Sequence, residues 1–154
     1  MNNLKPYRNC VGLLVINKSR NVFVGKRIDS SLNAWQMPQG GIEPDEDPKS
    51  AGIREMEEEI GTSNVKLIGE MSEWLNYDIP EKLSHRLWGG KYRGQTQKWL
   101  AFKFLGNDNE INIKTKDPEF KEWRWEHHKN LPELAVPFKK EIYKKVIKEF
   151  ERLF

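Results

Sequence analysis

Gly40-Gly41-Ile42-Glu43-Pro44-Asp45-Glu46-Asp47-Pro48-Lys49-Ser50-Ala51-Gly52-Ile53-Arg54-Glu55-Met56-Glu57-Glu58-Glu59-Ile60-Gly61-Thr62 is the stretch whose reading decides the fold. Asp47 is a good helix N-cap, and Pro48 suits the first helical position, where its missing N–H costs nothing. Gly61 stands where a left-handed residue would end the helix. At about 100° per residue, Glu55, Glu58 and Glu59 share one face because they are spaced i, i+3, i+4, while Ile53, Met56 and Ile60 gather on roughly the opposite side. The pattern therefore predicts acids pointing away from the core. A surface helix of this kind is poorly made, since each like-charge pair costs a few tenths of a kcal/mol. The acids also lie in the last two turns, where the helix dipole disfavours anions by ~0.3–1 kcal/mol, and Lys49 stands at the wrong end. A bound cation would reverse the penalty, and oxygen ligands without a nearby histidine favour magnesium or manganese over zinc. The plainer alternative is a solvated acidic face. Gly52, in mid-helix at a cost near ~1 kcal/mol relative to Ala, has no explanation in the sequence.

Charge outside this stretch points the same way. Between Glu43 and Glu59 eight acids face two bases, a local charge of −6, so the other 24 bases and 15 acids carry +9 and the whole 154-residue chain +3. An acidic focus in a basic body suits a metal-dependent enzyme acting on a polyanion, because the metal takes carboxylates and the substrate takes Lys and Arg. The length fits one domain over residues 1–154. At 37% hydrophobic, with six Trp, seven Phe and four Tyr, the chain has enough large apolar side chains for a core. No run reaches the roughly 18–20 apolar residues of a membrane span, and Met1 to Tyr7 lacks a signal core, which makes a cytoplasmic location the expectation. The single cysteine, Cys10, excludes an intramolecular disulfide and reads as a buried thiol.

Around the helix the chain reads as β structure. Val11 to Ile16 is an apolar strand, Asn17 to Asn21 a turn and Val22 to Val24 its hairpin partner. Ser30 to Gly41 is loop with a short extended piece. Val65 to Ile68, Met71 to Leu75 and Lys98 to Leu105 are predicted strands, and Glu122 to Glu126 alternates tryptophan with charge. Phe138 to Phe154 sets Ile142, Tyr143, Val146, Ile147, Phe150, Leu153 and Phe154 on one helical stripe that should pack on the sheet. Glu81 to Thr96 is the longest stretch read as irregular.

In register, the opening segment resembles the Nudix box, G-x5-E-x7-R-E-U-x-E-E-x-G-U with U aliphatic. Gly40, Glu46, Arg54, Glu55, Met56, Glu58, Glu59 and Gly61 all match, and only Thr62 replaces an aliphatic residue. The resemblance implies an α/β Nudix fold, a mixed β-sheet sandwiched between α-helices. Tyr7-Arg8-Asn9, Trp35 to Gly41, Gly94 to Trp99, Pro118-Glu119-Phe120, Trp123-Arg124-Trp125 and Phe138-Lys139 extend it over nearly the whole chain to one branch, bacterial RNA pyrophosphohydrolases, also described as dinucleoside polyphosphate hydrolases.

Enzymes of that family cleave within a polyphosphate by water attack, using divalent cations and a base. What the resemblance implies for this chain is a metal set of Glu55, Glu58, Glu59, the Gly40 carbonyl and Glu119, filled by Mg2+ or another divalent cation such as Mn2+. Arg54, at i, i+4 before Glu58, would orient that carboxylate. The base stays open among Glu55, Glu59 and Glu119, with Glu55 slightly favoured. Arg8, Arg27 and Lys139 match positions that handle 5′ phosphates, and Tyr77 and Phe138 are candidates for contact with a base. On the residues alone Phe138 reads as core. His85, Arg86, Lys91 and Arg93 suggest either an electrostatic funnel or a solvated loop, and His127-His128 a surface pair. The implied activity is removal of pyrophosphate from 5′-triphosphorylated RNA, exposing a 5′-monophosphate for mRNA decay. Cleavage of diadenosine tetraphosphate-like substrates is the alternative. A non-catalytic nucleotide-binding module is disfavoured by the intact acids. No membrane and no obligate protein partner is implied.

Overall fold

β1 (Tyr7–Ile16) is the spine of the structure, a computed structural model that describes residues 5–154. Most of the N-terminal stretch read above for a targeting segment, residues 1–4, lies outside the described residues. Val11 to Ile16 are buried without alternation, as expected of a strand covered on both faces. β6 (Gly94–Phe104) runs parallel to β1 from Tyr7 beside Gly94 to Ile16 beside Lys103. β2 (Val22–Arg27) returns antiparallel through the Asn17 to Asn21 turn and pairs with β7 (Phe120–Glu126). β4 (Val65–Glu70) lies outside β6, giving the order β4-β6-β1-β2-β7. Two short strands complete the seven: β3 (Gln39–Gly41) on β1 and β5 (Leu75–Asp78) on β6.

Helices cover both faces of this mixed sheet. α1 (Pro48–Ile60) brings Ala51, Met56 and Ile60 onto Leu13, Val15, Leu100 and Phe102. After α2 (Glu81–Trp88) and the single turn α3 (Leu131–Leu134), α4 (Lys140–Glu149) lays Ile142, Tyr143 and Val146, with Phe150 just beyond, on Leu14, Val24, Trp99 and Ala101. The ends of α1 are as the sequence predicts: the Asp47 carboxylate accepts the Ser50 N–H at 2.8 Å, and Gly61 closes the helix at φ 77°. Gly52 is explained by close packing, since a Cβ there would stand 3.2 Å from both Leu13 and Leu100. An added Cβ would require the ends of the Leu13 and Leu100 side chains to give by a few tenths of an ångström.

Three expectations are corrected. Met71 to Leu75 is not a strand: Met71 and Leu75 are buried, but Ser72, Glu73 and Trp74 bend outward to reach from β4 to β5, both of which pair with β6. The stretch read as irregular contains α2, which starts at Pro80, carries Glu81 in its first turn and ends at left-handed Gly89, and it also contains the start of β6. The terminal helix is regular only from Lys140 to Glu149, with 3-10 turns on either side. Among the described residues no helix is long and apolar enough to cross a membrane.

Candidate active site

Gly40 on β3 has no side chain, and the Glu55 carboxyl fills the place where a Cβ would stand. Side chains alternate along a strand, so Gly40 opens toward α1 while Gln39 and Gly41 face the other side of the sheet. This close approach corrects the expectation that the acids point away from the core: Glu55 is 9% exposed and Glu59 3%, and only Glu58 reaches solvent. Glu59 accepts the Gln39 N–H at 3.1 Å. Burial pushes the Glu55 carboxyl up to about 7, against the pull of Arg54 and with Glu58 and Glu119 adding to the rise. Glu59 is raised well above the usual carboxylate range, first by burial and then by Glu55 and Glu119, with Arg27 opposing.

Arg54 braces this acidic group. Its Nε and Nη2 donate to the two oxygens of Glu46 at 2.8 Å, and Nη2 also donates to the Gly41 carbonyl at 2.8 Å. Nη1 reaches Glu55 at 2.9 Å and Glu58 at 3.2 Å. Arg54 thus holds Glu58, as read from the i, i+4 spacing, but its main partner is Glu46, which holds the loop before α1 to the helix. The paired guanidinium and the Glu43 N–H keep Glu46 down at about 2.

Arg27 forms a bidentate pair with Asp29 at 2.8 and 2.7 Å and reaches Glu119 at 3.2 Å, and both Arg27 and Glu119 act on the Glu59 charge. Lys139 is only 6% exposed, and its Nζ has one long hydrogen bond, to Gln36 Oε1 at 3.4 Å. Burial and the Arg27 charge bring its ammonium down to about 8, with Glu59 opposing. Arg8 lies over the Cα of Gly41, donates to Cys10 Sγ at 3.2 Å and stands 6.0 Å from the Trp88 ring. Cys10 is a buried thiol, pushed by burial up to about 11, as the sequence suggested.

Two aromatic expectations change. Tyr77 is not open to a base: it is buried, its hydroxyl donates to Gln95 Oε1 at 2.8 Å, and its ring is stacked on Phe138 at 5.9 Å. Phe138 is half-buried, packed on the core by one side and partly exposed. Arg93 belongs to an ion pair with Asp78 at 3.0 Å rather than to an open loop, and His85 and Arg86 lie on α2. His127 and His128 stack on each other, and His128 stacks on Phe154. Lys98 turns toward Glu70 and Ser72.

Sequence reasoning missed a glutamine floor. Gln97 Nε2 donates to Gln39 Oε1 at 2.8 Å and to Gln95 Oε1 at 3.2 Å, and Trp99 Nε1 donates to Gln97 at 3.1 Å. Nε2 of Gln36 is buried without a partner, an orphan of the kind that a ligand acceptor satisfies. The i, i+2 spacing of Gln95 and Gln97 on one strand face was the available signal.

The donor set matches the chemistry of a hard divalent cation: carboxylate and carbonyl oxygens, with two buried carboxylates whose burial and mutual repulsion a cation would relieve. Among the described residues no three such groups are drawn together tightly enough to enclose an ion as they stand, since Arg54 occupies Glu55 and Glu58 and Arg27 occupies Glu119.

With this geometry in view, residues 6–146 match the NUDIX domain. The chain belongs to the Nudix family. It is 55% identical over 144 residues to the RNA pyrophosphohydrolase of Rhodospirillum rubrum, covering 94% of this chain and 87% of that protein. It is 49% identical over 148 residues to the RNA pyrophosphohydrolase of Rickettsia conorii, covering 96% and 92%. Among solved structures, the E. coli dihydroneopterin triphosphate pyrophosphohydrolase superposes with a TM-score of 0.69 at 18% identity, over 94% of this chain and 99% of that one. A C. elegans Ap4A hydrolase complex gives 0.66 at 19% identity, over 94% and 99%. Both are likenesses of fold. The Nudix sheet and its covering helices are those the box predicted.

Proposed function

We propose that this Nudix chain is a metal-dependent hydrolase that removes pyrophosphate from the 5′-triphosphate end of RNA. The observation that carries the reading is the pair of buried carboxylates, Glu55 and Glu59, with the nearly buried cation Lys139 and the Arg27 guanidinium close enough to act on the Glu59 charge. The names of the relatives from Rhodospirillum rubrum and Rickettsia conorii support the substrate.

The groups that would hold the cation are Glu55, Glu58, Glu59, the Gly40 carbonyl and Glu119. When bound, it would neutralise charge on the non-bridging phosphate oxygens. The chain's own residues supply the rest. Lys139, with one long hydrogen bond and a pKa lowered by burial and by the Arg27 charge, would gain an anionic partner when a 5′ phosphate enters. Arg8, on the wall of the cavity that Glu55 lines, and Arg27, beside Glu119 and close enough to act on the Glu59 charge, would add charge-assisted donors. A carboxylate takes the proton of the attacking water, with Glu55 slightly favoured over Glu59 and Glu119 for that role. The oxygen attacks phosphorus, the anhydride bond between the α and β phosphates breaks, and pyrophosphate leaves a 5′-monophosphate on the RNA, the form suited to mRNA decay.

The deciding experiment measures kcat/KM with magnesium on triphosphorylated RNA and on diadenosine tetraphosphate side by side. The reading expects release of pyrophosphate from RNA at the higher kcat/KM. Intact RNA triphosphate after prolonged incubation with magnesium or manganese would overturn it.

A further inference from the structure

The loop that carries Glu119 runs without regular structure from Ile111 to Glu119, between the 3-10 turn Asp108–Glu110 and β7. Its near end is fixed, with Ile111 buried in the core under α1 and Ile113 packed against that core. Its far end is held by β2 and the residue after it: the Ile28 N–H donates to the Glu119 carbonyl at 2.9 Å, and the Arg27 guanidinium takes the carboxylate at 3.2 Å. In between, Lys114, Lys116, Asp117 and Pro118 are exposed. Half-buried Thr115 turns back to the helix, where its Oγ1 donates to the Glu58 carbonyl at 2.6 Å.

The helix has acceptors to spare there. α1 ends at Ile60, left-handed Gly61 gives its N–H to Glu57, and the carbonyls from Glu58 onward have no partner within the helix. The loop satisfies two of them: Ile60 through the main-chain N–H of Asn112 at 2.9 Å, and Glu58 through the Thr115 hydroxyl. The first bond is open to any residue but proline at 112. The second needs a side-chain donor at 115, and it falls on the residue whose carboxylate shares Arg54 with Glu55.

This bond has a task beyond closing the helix. Glu119 stands close enough to act on the charges of Glu55 and Glu59, yet its carboxylate is paired with Arg27. To share a cation with the α1 acids it must leave Arg27 and turn toward the helix. Three residues separate Thr115 from Glu119, so the bond to Glu58 fixes one end of a short span whose other end is the carboxylate. Without it, the freedom of residues 114–118 is added to what cation binding must restrain.

We propose that Thr115 is a positioning residue for the cation: its hydroxyl, bonded to the Glu58 carbonyl, ties the Glu119 loop to the carboxylate helix. This rests on the reading of Glu119 as a metal ligand.

Manganese added to the metal-free protein, with the free ion read from its electron paramagnetic resonance signal, measures affinity without turnover. Thr115→Val keeps the shape of the side chain and removes the donor. It should weaken the apparent manganese affinity by roughly 2- to 12-fold, the worth of one hydrogen bond, and Thr115→Ser should restore it. Glu119→Gln should weaken the affinity by itself, and adding Thr115→Val to it should cost nothing more, because the tether acts through Glu119. In turnover, Thr115→Val should raise the magnesium concentration for half-maximal kcat by a similar factor, while KM for triphosphorylated RNA at saturating magnesium stays within about twofold. A hydroxyl that only caps α1 would lower Tm and leave the manganese affinity of the folded protein unchanged, and that result would overturn the proposal. Losses in Thr115→Val and Glu119→Gln that add in full would overturn it as well. Unchanged affinity in Glu119→Gln alone would instead take Glu119 out of the metal set, and the tether's role would fall with it.

Discussion

Glu55→Gln should make the metal-free protein more stable, and the gain should depend on pH. In the folded chain Glu55 is 9% exposed and its carboxyl is raised from 4.5 to about 7, a penalty on the ionised form of at most ~3 kcal/mol. Water reaching the carboxyl edge screens part of this. Arg54 keeps Glu46 and the Gly41 carbonyl as partners, and the glutamine carbonyl can still accept from its Nη1, so a gain of roughly 1–3 kcal/mol is expected once the charge is gone. The sign follows from linkage: between pH 4.5 and 7 the folded state binds a proton that the unfolded chain has released, so the parent loses stability as pH rises through that window. Glutamine does not titrate. In EDTA, Tm of variant and parent should nearly coincide at pH 4.5 and differ by roughly 2–12 °C at pH 8, using 2–4 °C per kcal/mol for a domain of this size. Magnesium should then stabilise the parent more than the variant, since only binding to the folded state adds stability. A Tm difference that is constant with pH, or a variant less stable than the parent at pH 8 in EDTA, would refute the account of Glu55 as a buried, uncompensated charge.

The remaining expectations concern neighbouring groups. Glu58→Gln and Glu59→Gln should each lower kcat by orders of magnitude with the circular dichroism spectrum unchanged, and near-normal turnover at saturating magnesium in both would remove them from the metal set. Glu119→Gln should weaken the apparent magnesium affinity and leave RNA binding intact, as read from a magnesium titration of kcat and a filter-binding isotherm. Lys139→Met keeps the buried volume and removes a charge held at about 8. Because a lowered lysine pKa costs stability below that pH and the cost fades as pH rises toward 10.5, the variant should be more stable than the parent at pH 7, while the slope of log K for RNA against log salt should fall by about 0.7. Phe138→Ala should lower Tm by less than the ~3–5 kcal/mol of a fully buried Phe, because the ring is half-buried on Tyr77, and should raise KM for RNA; an unchanged KM would place the ring in packing alone.

Local signals carried well from sequence to structure, and contacts between distant residues did not. The Asp47, Pro48 and Gly61 ends of α1 are chemistry within four residues of one another, and each stands where the pattern put it. The burial of Glu55 and Glu59 was misread because a helical wheel knows only its own helix. Ile53, Met56 and Ile60 did mark the apolar side, but the acids are covered by Gln39 and Gly40, which lie 15 to 20 positions earlier and enter only through the pairing of β3 with β1. Gly52 was opaque for the same reason, its partners Leu13 and Leu100 being on two other strands. Tyr77 was misassigned because a surface ring and a ring capped by Phe138 have the same local pattern. α2 is a different case, since Pro80, Glu81 and Gly89 are all local signals of a helix and its ends.

Arg54 shows how a site can collect like charges and still fold. Read as a single i, i+4 partner of Glu58, it would offset one carboxylate weakly, because an exposed pair is worth only ~0.3–0.5 kcal/mol. Its bidentate hold on Glu46 and the Gly41 carbonyl changes its role: the arginine is anchored outside the acidic face, and its Nη1 is then presented to Glu55 and Glu58 together. Glu46 stays ionised down to about pH 2, so the anchor does not titrate where Glu55 does. Proton uptake at the site above pH 4.5 therefore falls on Glu55 and Glu59, whose carboxyls are the ones raised, while the brace that positions them keeps its charge. That separation lets the two acids be held at an unfavourable charge density in the metal-free protein, ready for a cation, without the loop from Gly41 to Glu46 coming away from the helix.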